Sequence, residues 1–109
     1  MTEKPLKDTR LDDMLSAINR GVTLIDFNAA WCVPCGKLRP IVQRLEQTYR
    51  EQMQVLDLDV DVHPGLAMKL GITSIPTLVL YKNGEEIHRF IGLQTEETLI
   101  RSLEKALHR

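Results

Sequence analysis

Cysteine is nearly absent: Cys32 and Cys35 are the only two thiols in 109 residues. A domain of this length buries a core without staples, and two thiols this close together in a reducing compartment point to reactivity or metal binding rather than to a structural bridge. There is no basic run either. The 14 Lys and Arg are dispersed and nearly balanced by 15 Asp and Glu, for a formal net charge of -1, so nucleic acid and anionic membrane are poor partner classes. No segment is apolar for long enough to span a bilayer, and Met1 to Asp8 lacks the apolar stretch of a secretory signal, so the expected location is the cytoplasm. Repeats, low-complexity tracts, linkers and a G-x-G-x-x-G nucleotide fingerprint are all missing. The expectation is one domain over residues 1–109, with 1–8 a variable N-terminal segment, and no cofactor.

The apolar spacing supplies the elements. Thr9 and Asp12 resemble a capping box, followed by Leu11, Met14, Leu15 and Ile18 at helical spacing up to Gly21. Val22 to Asn28 is almost wholly apolar, as a central strand buried on both faces should be, and Asp26 is its only ionisable group. From Cys32, the positions Leu38, Ile41, Val42, Leu45 and Tyr49 predict an amphipathic helix to about Arg50, with Pro34 tolerated in its first turn and a kink expected at Pro40. Met53 to Val60 reads as a second strand, closing a right-handed β-α-β unit. After the break at His63-Pro64-Gly65, a short helix through Ala67, Met68 and Leu70 stops at Gly71. Thr77 to Tyr81 and Glu86 to Ile91 are antiparallel strands joined by Lys82-Asn83-Gly84-Glu85, where Asn-Gly favours a tight turn. Thr95 caps a last helix with Glu96 and Glu97 in its first turn, His108 and Arg109 at its end, and Leu99, Ile100, Leu103 and Leu107 on its apolar face. The fold class is α/β: a central mixed sheet flanked by helices on both faces.

Cys32 sits where a strand hands over to a helix, so first-turn N–H groups favour its thiolate, the nucleophilic form. Cys35 lies one turn further on, where its thiol can attack a mixed disulfide formed by Cys32. Zinc also suits C-x-x-C, but a structural site wants about four protein ligands, and His63, His88 and His108 offer no paired spacing. No metal site is expected.

Trp31-Cys32-Val33-Pro34-Cys35 after Asp26-Phe27, with Ile75-Pro76-Thr77 about forty residues on, closely resembles the thioredoxin family, as do Pro64-Gly65, Gly71-Ile72, Lys82-Asn83-Gly84 and Gly92. The resemblance runs from about residue 20 to the C-terminus. It implies the thioredoxin fold, with an additional N-terminal strand over Thr2 to Lys7. It implies that Pro76 is a cis-proline packed against the cysteines, leaving the Ile75 backbone to bond an extended substrate segment. It makes Trp31 a partly exposed wall beside Cys32 and Gly92 a point of close approach for substrate backbone, with Val33 and Pro34 completing the binding face. Burial should raise the pKa of Asp26, and the resemblance gives the matching aspartate general acid/base work for Cys35.

Four positions depart from the commonest family pattern. Val33 replaces a glycine and adds a stiff side chain on the binding face. Gly36 replaces a lysine that would favour thiolate. Asn28 stands where bacterial members often carry an aromatic, for which looser packing is expected. Asp57 stands where many have a lysine, and on a neighbouring strand it should raise the pKa of Asp26 further.

The function implied is that of a monomeric protein-disulfide reductase acting on disulfide-containing proteins, its dithiol restored by an NADPH-linked thioredoxin reductase. The alternatives are an oxidant or isomerase of the same fold, which needs a strongly lowered Cys32 pKa, and a binding module without redox turnover.

Overall fold

A computed structural model describes residues 16–108. The expected strand over Thr2 to Lys7, the helix start at Thr9, its first apolar positions and Arg109 lie outside them. Within them the chain forms β1 (Val22–Asn28), α1 (Val33–Thr48), β2 (Met53–Asp59), α2 (Pro64–Lys69), β3 (Thr77–Lys82), β4 (Glu85–Ile91) and α3 (Glu96–Leu107), preceded by helical residues 16–18. The described sheet has the order β2-β1-β3-β4. β1 is parallel to β2 and antiparallel to β3, and β3 is antiparallel to β4.

This topology explains why β1 reads as an unbroken apolar run. It is hydrogen-bonded on both sides and covered on both faces, so all seven of its residues are buried. Strand alternation divides them between two cores. Val22 and Leu24 pack with Leu38, Val42 and Leu45 of α1, Leu78 and Leu80 of β3, and Leu99 and Leu103 of α3. Ile25 and Phe27 pack on the opposite face with Ile18, Leu58, Leu66 of α2, Val79 and Tyr81. The helices therefore cover both faces of a mixed sheet, as the sequence pattern requires.

Element ends shift by a residue or two. α1 runs through the exposed Pro40 and stops at Thr48, with Tyr49 capping it. β2 ends at Asp59. On α3 the fully buried positions are Leu99, Leu103 and Ala106, while Ile100 and Leu107 are half-buried against the same core. Thr95 caps α3, its hydroxyl accepting from the Thr98 amide at 3.1 Å. The hairpin turn tightens to Asn83-Gly84, both at positive φ (52° and 88°), the geometry of a two-residue primed turn. The Asn83 side chain also fastens the entry to β1, accepting from the Gly21 amide at 2.9 Å, while its own amide donates to the Gly21 carbonyl at 2.8 Å.

Leu78 is fully buried and lies directly opposite Asp26 in the β1–β3 register. Leu78→Ala should cost about 3 kcal/mol of unfolding free energy through lost burial and a residual cavity. Urea unfolding checks this: the midpoint falls while the denaturant slope is unchanged, and a loss below about 1 kcal/mol would show that this core collapses around the gap.

Candidate active site

The site is built on the handover from β1 to α1. The chain leaves the sheet at Asn28 and enters the helix at Val33, so Cys32 becomes the N-cap residue in extended conformation (φ -88°, ψ 109°). Its Sγ accepts from the Cys35 amide at 3.2 Å. A sulfur in this place stands at the positive end of a 16-residue helix, where a thiolate is favoured. Cys32 and Cys35 are joined as a disulfide with their Cα atoms 5.3 Å apart, within the normal range. Both are buried, Cys32 (7 % exposed) less deeply than Cys35 (2 %), in a cluster with Ala29, Val60 and Ile75. Pro34 falls in the first turn, where its missing N–H costs nothing.

The other expected site residues come together around this pair to different degrees. Ile75 packs against it, and the Ile75-Pro76 bond is cis, just before β3 enters the sheet ladder at Thr77. Gly92 is tied to the same loop, its amide donating to the Pro76 carbonyl at 2.9 Å. Its φ of +90° restricts the position to glycine, and a Cβ there would meet open space. Trp31 and Val33, on either side of Cys32 in the chain, are 68 % and 69 % exposed. Trp31 is nevertheless held, since its Nε1 donates to Asp61 Oδ2 at 2.6 Å. Asp61 is positioned in turn by Asp59, whose carboxylate accepts from the Asp61 amide at 2.8 Å.

Asp26 lies on the α1 side of β1, alternating with Val22 and Leu24, and is 5 % exposed. The parallel register sets it directly opposite Asp57. Asn28 joins the two: its Nδ2 donates to the Asp26 carbonyl at 3.3 Å and also to the Asp57 carboxylate. Asn28 is buried and hydrogen-bonded, because its position puts a donor between two acceptors, and it also lines a cavity with Ala30, Arg39, Asp57 and Asp59. Arg39, one helical turn beyond Cys35, reaches Asp57 at 3.4 Å. Asp26 Oδ1 has no hydrogen-bond partner among the described residues. Burial pushes the Asp26 carboxyl up to about 6, Asp57 pushes it the same way, and Asn28 and Arg39 pull it down. The expected effect of Asp57 is thus present, second to burial.

Asp59, Asp61 and Arg39 did not stand out in the sequence. Arg39 had a signal, since it shares a helical face with Val42 and Glu46 and follows Cys35 by four. The bond from Asp61 to Trp31 spans 30 residues and has none. Among the described residues no group of three or more His, Cys, Asp or Glu side chains is arranged to hold a metal ion.

A family profile described as Thioredoxin matches residues 3–105. The chain belongs to the thioredoxin family. It is 39% identical over 100 residues to a protein named thioredoxin from Staphylococcus saprophyticus, covering 92% of this chain and 93% of that one. With a thioredoxin from Staphylococcus epidermidis it shares 41% over 95 residues, 87% of this chain and 91% of the other. Among solved structures it resembles a mutant thioredoxin from Halobacterium salinarum, with TM-score 0.81, 37% identity and coverage of 93% and 86%. It also resembles the oxidized mitochondrial thioredoxin 3 of Saccharomyces cerevisiae, with TM-score 0.79, 31% identity and coverage of 87% and 89%. Family, fold and the paired cysteines together make the protein a thiol-disulfide oxidoreductase that works by dithiol-disulfide exchange.

The raised Asp26 carboxyl fixes the sign of a pH effect. Folding opposes ionisation of this group, so its contribution is most favourable below about pH 4 and is lost as pH rises to about 6. Asp26→Asn should therefore gain on the parent protein, by about 3 kcal/mol between pH 3.5 and pH 8. Denaturant titrations of both proteins across that range test it, and parallel stability curves would contradict it. Asp57→Asn should shift the Asp26 titration downward in carbon NMR; an unchanged titration would remove Asp57 from the account.

Proposed function

We propose that the protein is a general protein-disulfide reductase, with Cys32 as nucleophile, Cys35 as resolving thiol and Asp26 as the base that serves Cys35. The Cys32 thiolate attacks one sulfur of a substrate disulfide, breaking that bond, forming a mixed disulfide and releasing the first substrate thiolate. Cys35 gives its proton toward Asp26 and attacks Cys32 Sγ, so the Cys32–Cys35 bond forms and the second substrate thiolate departs. Two electrons pass to the substrate. They are returned by a thioredoxin reductase that draws on NADPH, in the cytoplasm, with the protein acting as a monomer.

One observation carries this reading: the less deeply buried cysteine caps α1, and the more deeply buried one lies a turn inside. The first is set up for attack and the second for resolution. The unpaired Oδ1 of Asp26 supports the acid/base role, because a buried carboxyl titrating near 6 is largely ionised at neutral pH and still basic enough to take a thiol proton. Trp31, Val33, Pro34, Ile75, Pro76 and Gly92 form the binding face in this reading. The open space above Gly92 leaves room for substrate backbone, and an extended segment would pair with the Ile75 backbone as an added strand. A reductase is favoured over an oxidant because Pro34 stands where strongly oxidising relatives commonly carry histidine, so nothing at that position strongly stabilises the reduced form.

Two measurements test the roles and the direction. Cys35→Ser should accumulate a mixed disulfide with an oxidised protein substrate, visible by non-reducing gel and mass spectrometry, whereas Cys32→Ser should form none; the reverse pattern would exchange the two roles. Equilibration of the pair against glutathione should give a potential near the roughly -270 mV known for thioredoxin, and one near about -120 mV would make the protein an oxidant.

A further inference from the structure

We propose that Arg39 is a positioning residue for the resolving step: it reaches from α1 across the cleft beside Asp26 and, paired with Asp57, supplies the counter-charge to two carboxylates that the sheet register sets side by side. The inference rests on the reading of Asp26 as proton acceptor from Cys35, and deepens it.

The parallel pairing of β1 with β2 leaves Asp26 and Asp57 no choice of neighbour. Two carboxylates in such a place oppose each other's ionisation. Asn28, itself buried, and Arg39 both bond the Asp57 carboxylate and favour its place beside Asp26. Between α1 and β2 lies a small cleft of about 130 Å³, lined in part by Asp26, Asp57, Arg39 and Glu46. The charged groups facing Asp26 are thus Asp57 from β2 and Arg39 and Glu46 from α1, while β3 contributes the apolar Leu78 in register. Arg39 supplies the positive charge of this cleft against three acids, and its NH1 lies 3.4 Å from Asp57 Oδ2.

The placement on the helix matters as much as the charge. Arg39 follows Cys35 by one turn, so the residue that compensates the acids is carried by the same helix as the thiol whose proton they receive. With Arg39 present, Asp26 is ionised when Cys35 must lose its proton. Without it, Asp26 holds its own proton to higher pH and the resolving step loses its base over that interval. The Arg39 side chain is 43% exposed, so solvent reduces the effect to a modest size.

The experiment uses the full chain. Arg39→Gln, Arg39→Lys and Arg44→Gln are compared with the parent in two assays. One is a carbon NMR titration of the Asp26 carboxyl. The other is the single-turnover rate at which Cys35 resolves a preformed mixed disulfide, followed from pH 5 to pH 8. Arg44 is the control, because it lies on the same helix and carries the same charge but pairs with Glu96.

Arg39→Gln should move both the Asp26 titration and the acidic limb of the rate profile up by about half a pH unit, making resolution roughly threefold slower at pH 5, with the deficit shrinking toward pH 8. Arg39→Lys should move them less, and Arg44→Gln should leave both in place. A change in thermal stability that leaves both profiles fixed, or an equal shift in Arg44→Gln, overturns the inference. Asp26→Asn separates the two levels. If it resolves at the parental rate, the base assignment itself fails; if it is slow while Arg39→Gln leaves the limb unmoved, only the role of Arg39 fails.

Discussion

A carboxylic acid in the middle strand of the sheet is the constraint around which this molecule is arranged. β1 is paired on both edges and covered on both faces, so everything on it must be apolar or give up solvation, and Asp26 gives it up. A surface loop would hold a carboxylate without cost. Only the sheet centre can hold it at once dry, immobile and immediately behind the helix that carries the cysteines. The raised pKa follows from that location, and with it a fold that surrenders stability at the pH where this carboxyl is ionised.

The electrostatics of the site run in two opposed directions along α1. Its N-terminus offers Cys32 the positive end of the helix and the Cys35 amide, which favours thiolate at the less deeply buried cysteine. Further along the helix the cleft beside it holds Asp26 and Asp57, whose negative charge opposes a thiolate, so in the proposed function the buried thiol loses its proton by giving it to one of these acids. The two sulfurs are three residues apart, yet they face different problems. In the proposed cycle Cys32 is ionised before attack, and Cys35 becomes so afterwards. A single strand-to-helix junction meets both needs because the helix dipole acts at its end and the sheet carboxylates act a turn later.

Much of this was legible in the sequence, and what was legible is local. The apolar run of β1, the helical spacing after Cys32, the Asn83-Gly84 turn and the Thr95 cap each depend on a few neighbouring residues; β1 and the Thr95 cap fall where the sequence puts them, and the helix after Cys32 ends two residues early. The cysteine pair and the Ile75-Pro76 bond were readable because their motif is carried whole in the chain. At Asn28 the sequence speaks only to size, a small residue in place of an aromatic, while its bonding depends on strand register, which places its amide between Asp26 and Asp57. Arg39 and Asp61 were passed over for a related reason. What they do depends on which residue of another element they meet, and neither periodicity nor composition encodes that.

The same distinction bears on how the exposed rim keeps its shape. Trp31 and Val33 place large apolar surfaces in water on either side of Cys32, and in the proposed function a docked substrate covers them. An indole left free there would sample several rotamers, and binding a partner would have to arrest it. The chain from Asp59 to Asp61 to Trp31 Nε1 arrests it beforehand, using the end of β2 as an anchor. β2 therefore reaches this region twice, through Asp57 beside the buried carboxylate and through its last residue, Asp59, which holds Asp61 of the following turn against the exposed indole. A shift of this strand by one residue against β1 would move Asp57 away from Asp26 and Asp59 away from Asp61 together, so under the proposed function the register of a single parallel pair bears on both proton transfer and docking.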